Sequence, residues 1–244
     1  MPIADVKTLW RMLQGQPAGA SLRERLEGFY APQADRYDAF RETLLHGRRE
    51  LVARLPAGAG MTVVEMGGGT GRNLDFFGDR LGALARYELV ELSPSMASRA
   101  RRRARLCANV AVVEADAASH RPAGPADCVL FSYSLTMVPD WFRAVDNAFA
   151  MLRPGGVIGV VDFHVSRRHP APGRARHGFG TRFIWPLWFA HDGVYLSADH
   201  LPYLHSRFEP VCCEEHRGAV PYLPGLRVPW YLFVGRKIES RSGI

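Results

Sequence analysis

Lysine is almost missing from this 244-residue chain: only Lys7 and Lys237 stand among its 31 basic residues, and the rest are arginine. So one-sided a choice reads as compositional bias more than as a surface built to read phosphates. The formal charge of +7 and the pI near 9.6 still favour anionic surroundings such as a membrane surface, nucleic acid or an acidic substrate. Cysteine is scarce too. Cys107, Cys128, Cys212 and Cys213 lack metal-ligand spacing, and neighbouring Cys212 and Cys213 cannot readily bridge each other, so a reducing compartment is expected and a disulfide scaffold is excluded. No apolar run is long enough to span a bilayer, and no secretory signal pattern opens the chain. The histidines show no ligand spacing with cysteine or carboxylate, so no metal is expected.

What is present is an ordinary globular balance, 47% hydrophobic and 23% charged, in a length that suits one α/β domain with a small cap. The chain is organised around Thr62-Val63-Val64-Glu65-Met66, a β-branched run that ends in Gly67-Gly68-Gly69-Thr70-Gly71. Strand, glycine turn and the helical spacing that resumes at Asn73 follow in the order of a nucleotide-type site. Missing Cβ atoms let a ligand lie against the backbone, and a helix N-terminus supplies free N–H donors. The dinucleotide fingerprint differs, because its third glycine comes later and it carries no acid inside the strand. Glu65, Gly67, Gly69 and Gly71 instead resemble motif I of class I S-adenosylmethionine (SAM) methyltransferases. That resemblance implies an acid near the methionine part of the cofactor, with the glycines facing it.

Three further strands carry polar tips. Arg86 to Ser93 ends in Glu91, 20 residues past Gly71, where one carboxylate can accept both ribose hydroxyls; Leu92 and Met96 follow it. Val110 to Ala117 ends in Asp116 and Ala117, where SAM enzymes commonly hold the adenine amino group. Asp127 to Met137 is rich in β formers and delivers Ser132, Tyr133 and Ser134 to the ligand-binding edge of a parallel sheet. A helix from Trp141 to Leu152, Pro-Gly punctuation and a fifth strand from Val157 to Phe163 complete the alternation. The last segments, Phe208 to Arg217 and Val228 to Gly235, read as an antiparallel hairpin. The expected fold is a Rossmann-like class I methyltransferase fold: a mostly parallel seven-stranded sheet, helices on both faces and a terminal antiparallel hairpin. Its expected divisions are an N-terminal helical lid (1–55), a SAM-binding core (56–163), a substrate-binding insertion (164–207) and C-terminal strands (208–244).

Flanking features carry open alternatives. Val6, Leu9, Trp10 and Leu13 recur at helical spacing, as a flap packed on the domain or as a membrane-surface helix would require. Tyr30 and Tyr37 sit in a leading helical block as core aromatics or as part of a lid over the cofactor. Arg99, Arg101, Arg102, Arg103 and Arg105 make a solvated helix face or a contact with membrane or nucleic acid.

With these residues placed, the chain is similar to the diacylglyceryl-homoserine N-methyltransferases of betaine-lipid synthesis. The likeness rests on FYAPQADRYDAFR from Phe29, GGGTGRN from Gly67, FSYSLTMVPDWFRAVDNA from Phe131, LRPGGVIGVVDF from Leu152, WFAHDGVYLSADHLPYL from Trp188 and VPYLPGLRVPWYLFVGRK from Val220. It implies three methyl transfers from SAM to a lipid-linked homoserine amine, releasing S-adenosyl-L-homocysteine. The lipid substrate, and with it the enzyme that makes diacylglyceryl-homoserine, are the implied partners at the inner face of the membrane of a cytoplasmic protein; nucleic acid is not expected. Phosphatidylethanolamine or a small amine is the alternative acceptor, and a SAM- or nucleic-acid-binding module without turnover is a third reading. A neutral amine needs alignment and desolvation more than an activating triad. For cationic intermediates, Tyr37, Tyr133, Trp141, Trp185 and Trp188 are candidate aromatic walls. For the homoserine carboxylate, Arg41, Arg72 and Arg182 are candidate forks. Tyr133, His191, Asp192 and His200 are candidate proton acceptors, with Tyr30 and Tyr203 completing the expected substrate site.

Overall fold

A computed structural model describes residues 21–30, 43–221, 223 and 225–238, with only the backbone at Phe29 and Tyr30. The amphipathic run over residues 5–14, Tyr37, Arg41 and the Tyr30 side chain lie outside the described residues. Helices α1 (Leu22–Tyr30) and α2 (Arg48–Arg54) precede β1 (Thr62–Met66), α3 (Leu74–Phe77), α4 (Arg80–Ala83), β2 (Arg86–Glu91), α5 (Pro94–Ala104) and β3 (Val110–Glu114). Then come β4 (Ala126–Ser132), a 3₁₀ turn (Leu135–Met137), α6 (Trp141–Met151), β5 (Leu152–Phe163), α7 (Phe179–Ala190), α8 (His200–Arg207), β6 (Phe208–Ala219) and β7 (Arg227–Lys237).

The seven strands form one sheet in the order β3-β2-β1-β4-β5-β7-β6. The first five run parallel, while β7 pairs antiparallel with both β5 and β6. This is the expected architecture, and its cause is visible in the burial. Val63, Val64 and Met66 of β1, and Val129, Leu130 and Phe131 of β4, are buried on both faces, as strands covered by helices on each side must be. The order reverses between β1 and β4, which places a crevice at their carboxyl ends.

Several boundaries differ from the sequence reading: β3 already ends at Glu114, leaving Asp116 and Ala117 on the loop beyond it, and two further differences shape the sheet edge. β4 stops at Ser132 because Tyr133 adopts φ 55°, the only positive value at a non-glycine among the described residues, and the chain then turns 3₁₀. β5 begins at Leu152, with a register shift between Ala126 and Cys128 that accommodates the Pro154-Gly155-Gly156 stretch inside the strand. The basic face of α5 is largely committed: Arg101 pairs with Glu114, Arg102 donates to Ser98 Oγ, and Arg103 donates to the Thr70 carbonyl at 3.0 Å. All four cysteines are free thiols.

Helix α2 packs on the sheet through a missing side chain. A Cβ at Gly159 of β5 would lie 2.7 Å from Leu55 Cδ2 and 3.0 Å from Leu51 Cδ1. Gly159→Ala should therefore lift α2 off the sheet and cost about 1–3 kcal/mol of stability; urea unfolding checks this, and an unchanged midpoint would show that the helix yields freely.

Candidate active site

The crevice is built from the glycine turn upward. The N–H groups of Gly67 and Gly68 both donate to the Val90 carbonyl, at 2.8 and 3.0 Å, which folds the turn over the tip of β2. Gly67 sits at φ 70°, and a Cβ there would come 2.6 Å from Ser134 Cβ. Ser134 in turn donates to the Met66 carbonyl at 2.6 Å, so β1 and the end of β4 close on each other only across a glycine. Gly69, at φ 57°, has nothing within 4 Å of its would-be Cβ and faces the open crevice.

Glu91 stands at the tip of β2. Its carboxylate accepts the Gly69 N–H and the Ser93 N–H, each at 2.8 Å, and lines the crevice. Ser93 caps α5, accepting the Met96 N–H, and also donates to Glu27 of α1 at 2.6 Å. Leu26 of α1 packs on Met96, so α1 closes the crevice from above with Leu22 and Leu26. Asp116 lies on the opposite wall beside Ala115 and Ala117, its side chain accepting the Ala118 N–H at 2.8 Å.

Glu65 is placed differently from the sequence expectation. Its carboxylate is buried behind the turn, accepts from Asn73 Nδ2 and from the Tyr87 hydroxyl, each at 2.6 Å, and does not line the crevice. Burial pushes it up to about 7, against the opposing pull of those two hydrogen bonds. It reaches the crevice through Asn73, which does line it and whose buried Oδ1 has no hydrogen-bond partner among the described residues.

The remaining expected residues separate. Ser132, Tyr133, Leu92 and Met96 line the crevice, as does Arg72 beside its ion-pair partner Asp75. Tyr133 donates its hydroxyl to the His46 carbonyl at 2.7 Å, and burial holds its phenol well above the usual range; it is a donor at neutral pH, not a base. His191, Asp192, Arg182, Trp141, Trp185, Trp188, His200 and Tyr203 do not line the crevice. Trp185 is buried beside Phe189, Trp188 points outward, and the Tyr203 hydroxyl donates to Asp146. His200 is fully buried, with Trp141 edge-on at 4.6 Å; burial holds its imidazole down at about 3, so it is neutral.

Ser134 lines the crevice as its place at the sheet edge implied, whereas sequence reasoning missed Leu22, Leu26, Leu45 and Arg48 as lining residues, and missed Asp162 behind them. Asp162 is fully buried, accepts from Thr136 Oγ1 at 2.7 Å, and is pushed up to about 7 by burial. Leu22 and Leu26 had a signal, an i, i+4 apolar pair; Asp162 had none. Among the described residues no group of three or more His, Cys, Asp or Glu could hold a metal ion, and no helix is long and apolar enough to cross a membrane.

The fold and crevice define a Rossmann-like class I methyltransferase, and its cofactor is S-adenosyl-L-methionine. The donor set fits that molecule. The Glu91 carboxylate offers acceptors to vicinal hydroxyls, Asp116 offers one to an amine, and the orphaned buried Asn73 carbonyl and Ser132 hydroxyl offer unspent polar atoms to a charged amino-acid end. Residues 37–208 match the methyltransferase domain model, and the chain belongs to that family. It is 30% identical over 139 residues to a ubiquinone/menaquinone biosynthesis C-methyltransferase of Enterobacter sp. (strain 638), covering 53% of this chain and 55% of the relative. The chain thus spans about half the length of the curated relatives it matches. Similar solved folds include the N-methyltransferase NodS from Bradyrhizobium japonicum in complex with S-adenosyl-L-homocysteine, at TM-score 0.59 and 16% identity over 83% of this chain and 98% of that one. A Haloferax volcanii methyltransferase in complex with the Trm112 methyltransferase activator reaches TM-score 0.68 at 16% identity, over 91% of this chain and 100% of that one.

Two outcomes follow from this geometry. Glu91→Ala removes the acceptor shared by the turn and the α5 cap along with the ligand's own acceptor, so S-adenosyl-L-homocysteine binding measured by calorimetry should weaken roughly 10–100-fold, a loss of about 1.4–2.8 kcal/mol. Parent-like affinity would place the ribose elsewhere. Glu65 holds its proton up to about 7 when folded but only to about 4.5 when unfolded, so its ionisation penalises the fold increasingly as pH rises between those values. The stability of Glu65→Gln relative to the parent should therefore rise across that window, by an amount on the order of 2–3 kcal/mol, in urea titrations at stepped pH. A pH-independent difference would mean that Glu65 is ionised throughout.

Proposed function

We propose that this chain methylates the amino group of diacylglyceryl-homoserine three times, giving the betaine lipid diacylglyceryl-trimethylhomoserine. The observation that carries the reading is how the segment after β5 attaches to the crevice. The Tyr195 N–H donates at 2.8 Å to the carbonyl of Thr136, next to Met137 and Val138, which line the crevice. Residues 188–204, one of the three less generic stretches of the likeness to betaine-lipid N-methyltransferases, therefore lean on the catalytic edge. Apolar Leu22, Leu26, Leu45, Met137 and Val138 give that edge the character an acyl-bearing acceptor suits.

The cofactor supplies a methyl carbon bonded to positively charged sulfur. The amine nitrogen forms the new N–C bond with its lone pair, the C–S pair stays on sulfur, and the first two rounds each release a proton from nitrogen. The chain's task is to hold and desolvate the amine. Tyr133, fixed by its bond to His46 and by edge contact with Phe163 at 4.6 Å, presents a rigid aromatic wall on the crevice. Of the expected proton acceptors only Tyr133 lines the crevice among the described residues, and its own proton is engaged, so we assign proton release to water. The reaction class that must supply the substrate is transfer of a four-carbon amino-acid unit to diacylglycerol.

Full-length protein incubated with methyl-labelled SAM and vesicles containing diacylglyceryl-homoserine should yield labelled lipid, with the trimethylated species accumulating by mass spectrometry. Parallel reactions offer phosphatidylethanolamine vesicles, a soluble primary amine and a quinol, the last because the curated relatives are C-methyltransferases. Label confined to any of those three would overturn the acceptor assignment.

A further inference from the structure

The segment from His164 to His191 contains five arginines and four histidines and no acid at all. Its helix, α7, is apolar around most of its circumference. Trp185 and Phe189 turn inward and are buried. Phe179, Phe183, Ile184, Leu187 and Trp188 occupy the other half of the helical wheel and are exposed, Phe179 at 82%, Leu187 at 67% and Phe183 at 60%. Phe179 and Phe183 stack on each other at 6.0 Å, forming a flat aromatic ledge. One face this rich in large apolar side chains is far outside what single scattered surface residues explain.

The approach to α7 sets the charge of whatever covers it. Arg168 and Arg176 are exposed, and among the described residues neither makes an ion pair, whereas Arg167 on the same loop pairs with Asp199 at 2.6 Å. An apolar stripe with Trp and Phe, in a segment that carries two exposed arginines without ion pairs and no acid of its own, is the composition of a helix that lies in the headgroup boundary of an anionic bilayer. A protein partner with an acidic rim would match the charge but would not explain why the ledge carries no polar side chain to fix its register.

We propose that the outer face of α7 docks this protein on an anionic lipid surface, with Phe183, Leu187 and Trp188 entering the boundary layer and Arg168 and Arg176 meeting lipid phosphates. The choice of lipid as occupant rests on the acceptor reading above, but docking needs no acceptor and is measured without one. Because α7 ends beside the segment that leans on Thr136, a docked helix sets the crevice against the membrane, within reach of a headgroup amine.

Sedimentation of the full-length protein with vesicles of phosphatidylcholine and phosphatidylglycerol, free of any amine lipid and of SAM, tests this. The parent should co-sediment, more weakly as salt rises, and barely with phosphatidylcholine alone. Phe183→Ser/Leu187→Ser should lower partitioning at least about tenfold, and Arg168→Glu/Arg176→Glu should lower it and flatten its salt dependence. Both variants should bind S-adenosyl-L-homocysteine like the parent, which separates loss of docking from loss of fold. Trp188 emission should shift to the blue with anionic vesicles, and the shift should be absent in Trp188→Phe. Equal partitioning of parent and Phe183→Ser/Leu187→Ser would overturn the proposal, as would a dimer that this variant abolishes in a parent that ignores vesicles. Docking without methyl transfer to diacylglyceryl-homoserine would sink the acceptor reading and leave the docking face standing.

Discussion

One carboxylate joins the parts on which the crevice depends. Glu91 accepts from Gly69 on the glycine turn and from Ser93 at the cap of α5, so the turn after β1 and the helix after β2 share a single anionic hub. Backbone N–H donors fix its two oxygens, which keeps the acceptor in place before any ligand arrives. The close approach of Gly67 to Ser134 and of Gly68 to Leu89 then leaves one geometry for the turn, since a side chain at either position would meet its neighbour well inside van der Waals distance. Preorganisation here is steric on one side of the loop and electrostatic on the other.

Behind this hub the protein buries polar groups at some cost. Glu65 with Tyr87 and Asn73 braces the turn, while Asp162 braces the 3₁₀ turn through Thr136 and the Phe163 N–H. Both acids are pushed up to about 7 by burial, so they hold shape near neutrality without bringing full charges into the core. His164 and His200 are buried near Tyr231, and burial holds both down at about 3, so they too enter the core uncharged. Thr136 is the shared point. It donates to Asp162 and accepts from Tyr195, coupling β5, the turn beside the crevice and the segment that follows α7.

Much of this was readable from the chain, for physical reasons. Parallel strands buried on both faces must be near-continuous apolar runs, and a turn that touches a ligand with its backbone must lack Cβ atoms, so β1, the glycine turn, β2 and Glu91 announce themselves. Asn73 and Asp116 follow by position. Tyr133 was legible as a crevice residue but not as the place where β4 breaks, because a left-handed tyrosine is held by its bond to His46 and by Phe163, neither of which local sequence encodes. Glu65 was read as a cofactor contact because an acid beside glycines has two sides to face, and register put it behind the turn. Gly155 and Gly156 were read as punctuation, yet the β4 register shift lets them continue β5.

The tryptophans and histidines expected in the substrate site stand apart from the crevice. Composition singled out an aromatic, basic segment over the catalytic edge, and the expectation that its aromatic rings would wall the crevice treated all of them as facing one way. A helix has two faces, and α7 divides its own: Trp185 and Phe189 hold it to the core, while Phe183, Leu187 and Trp188 leave it outward. Trp141 and Tyr203 pack on each other at 5.6 Å and join α6 to α8. Trp141, Trp185 and Trp188 therefore pack against neighbours or face solvent, and Tyr133 is the aromatic that lines the crevice among the described residues. For the lipid amine proposed above, the way the acceptor is delivered adds to what the lining contacts contribute. An acceptor carried by a lipid surface arrives at a fixed depth and orientation, and a site that receives it so needs fewer contacts of its own.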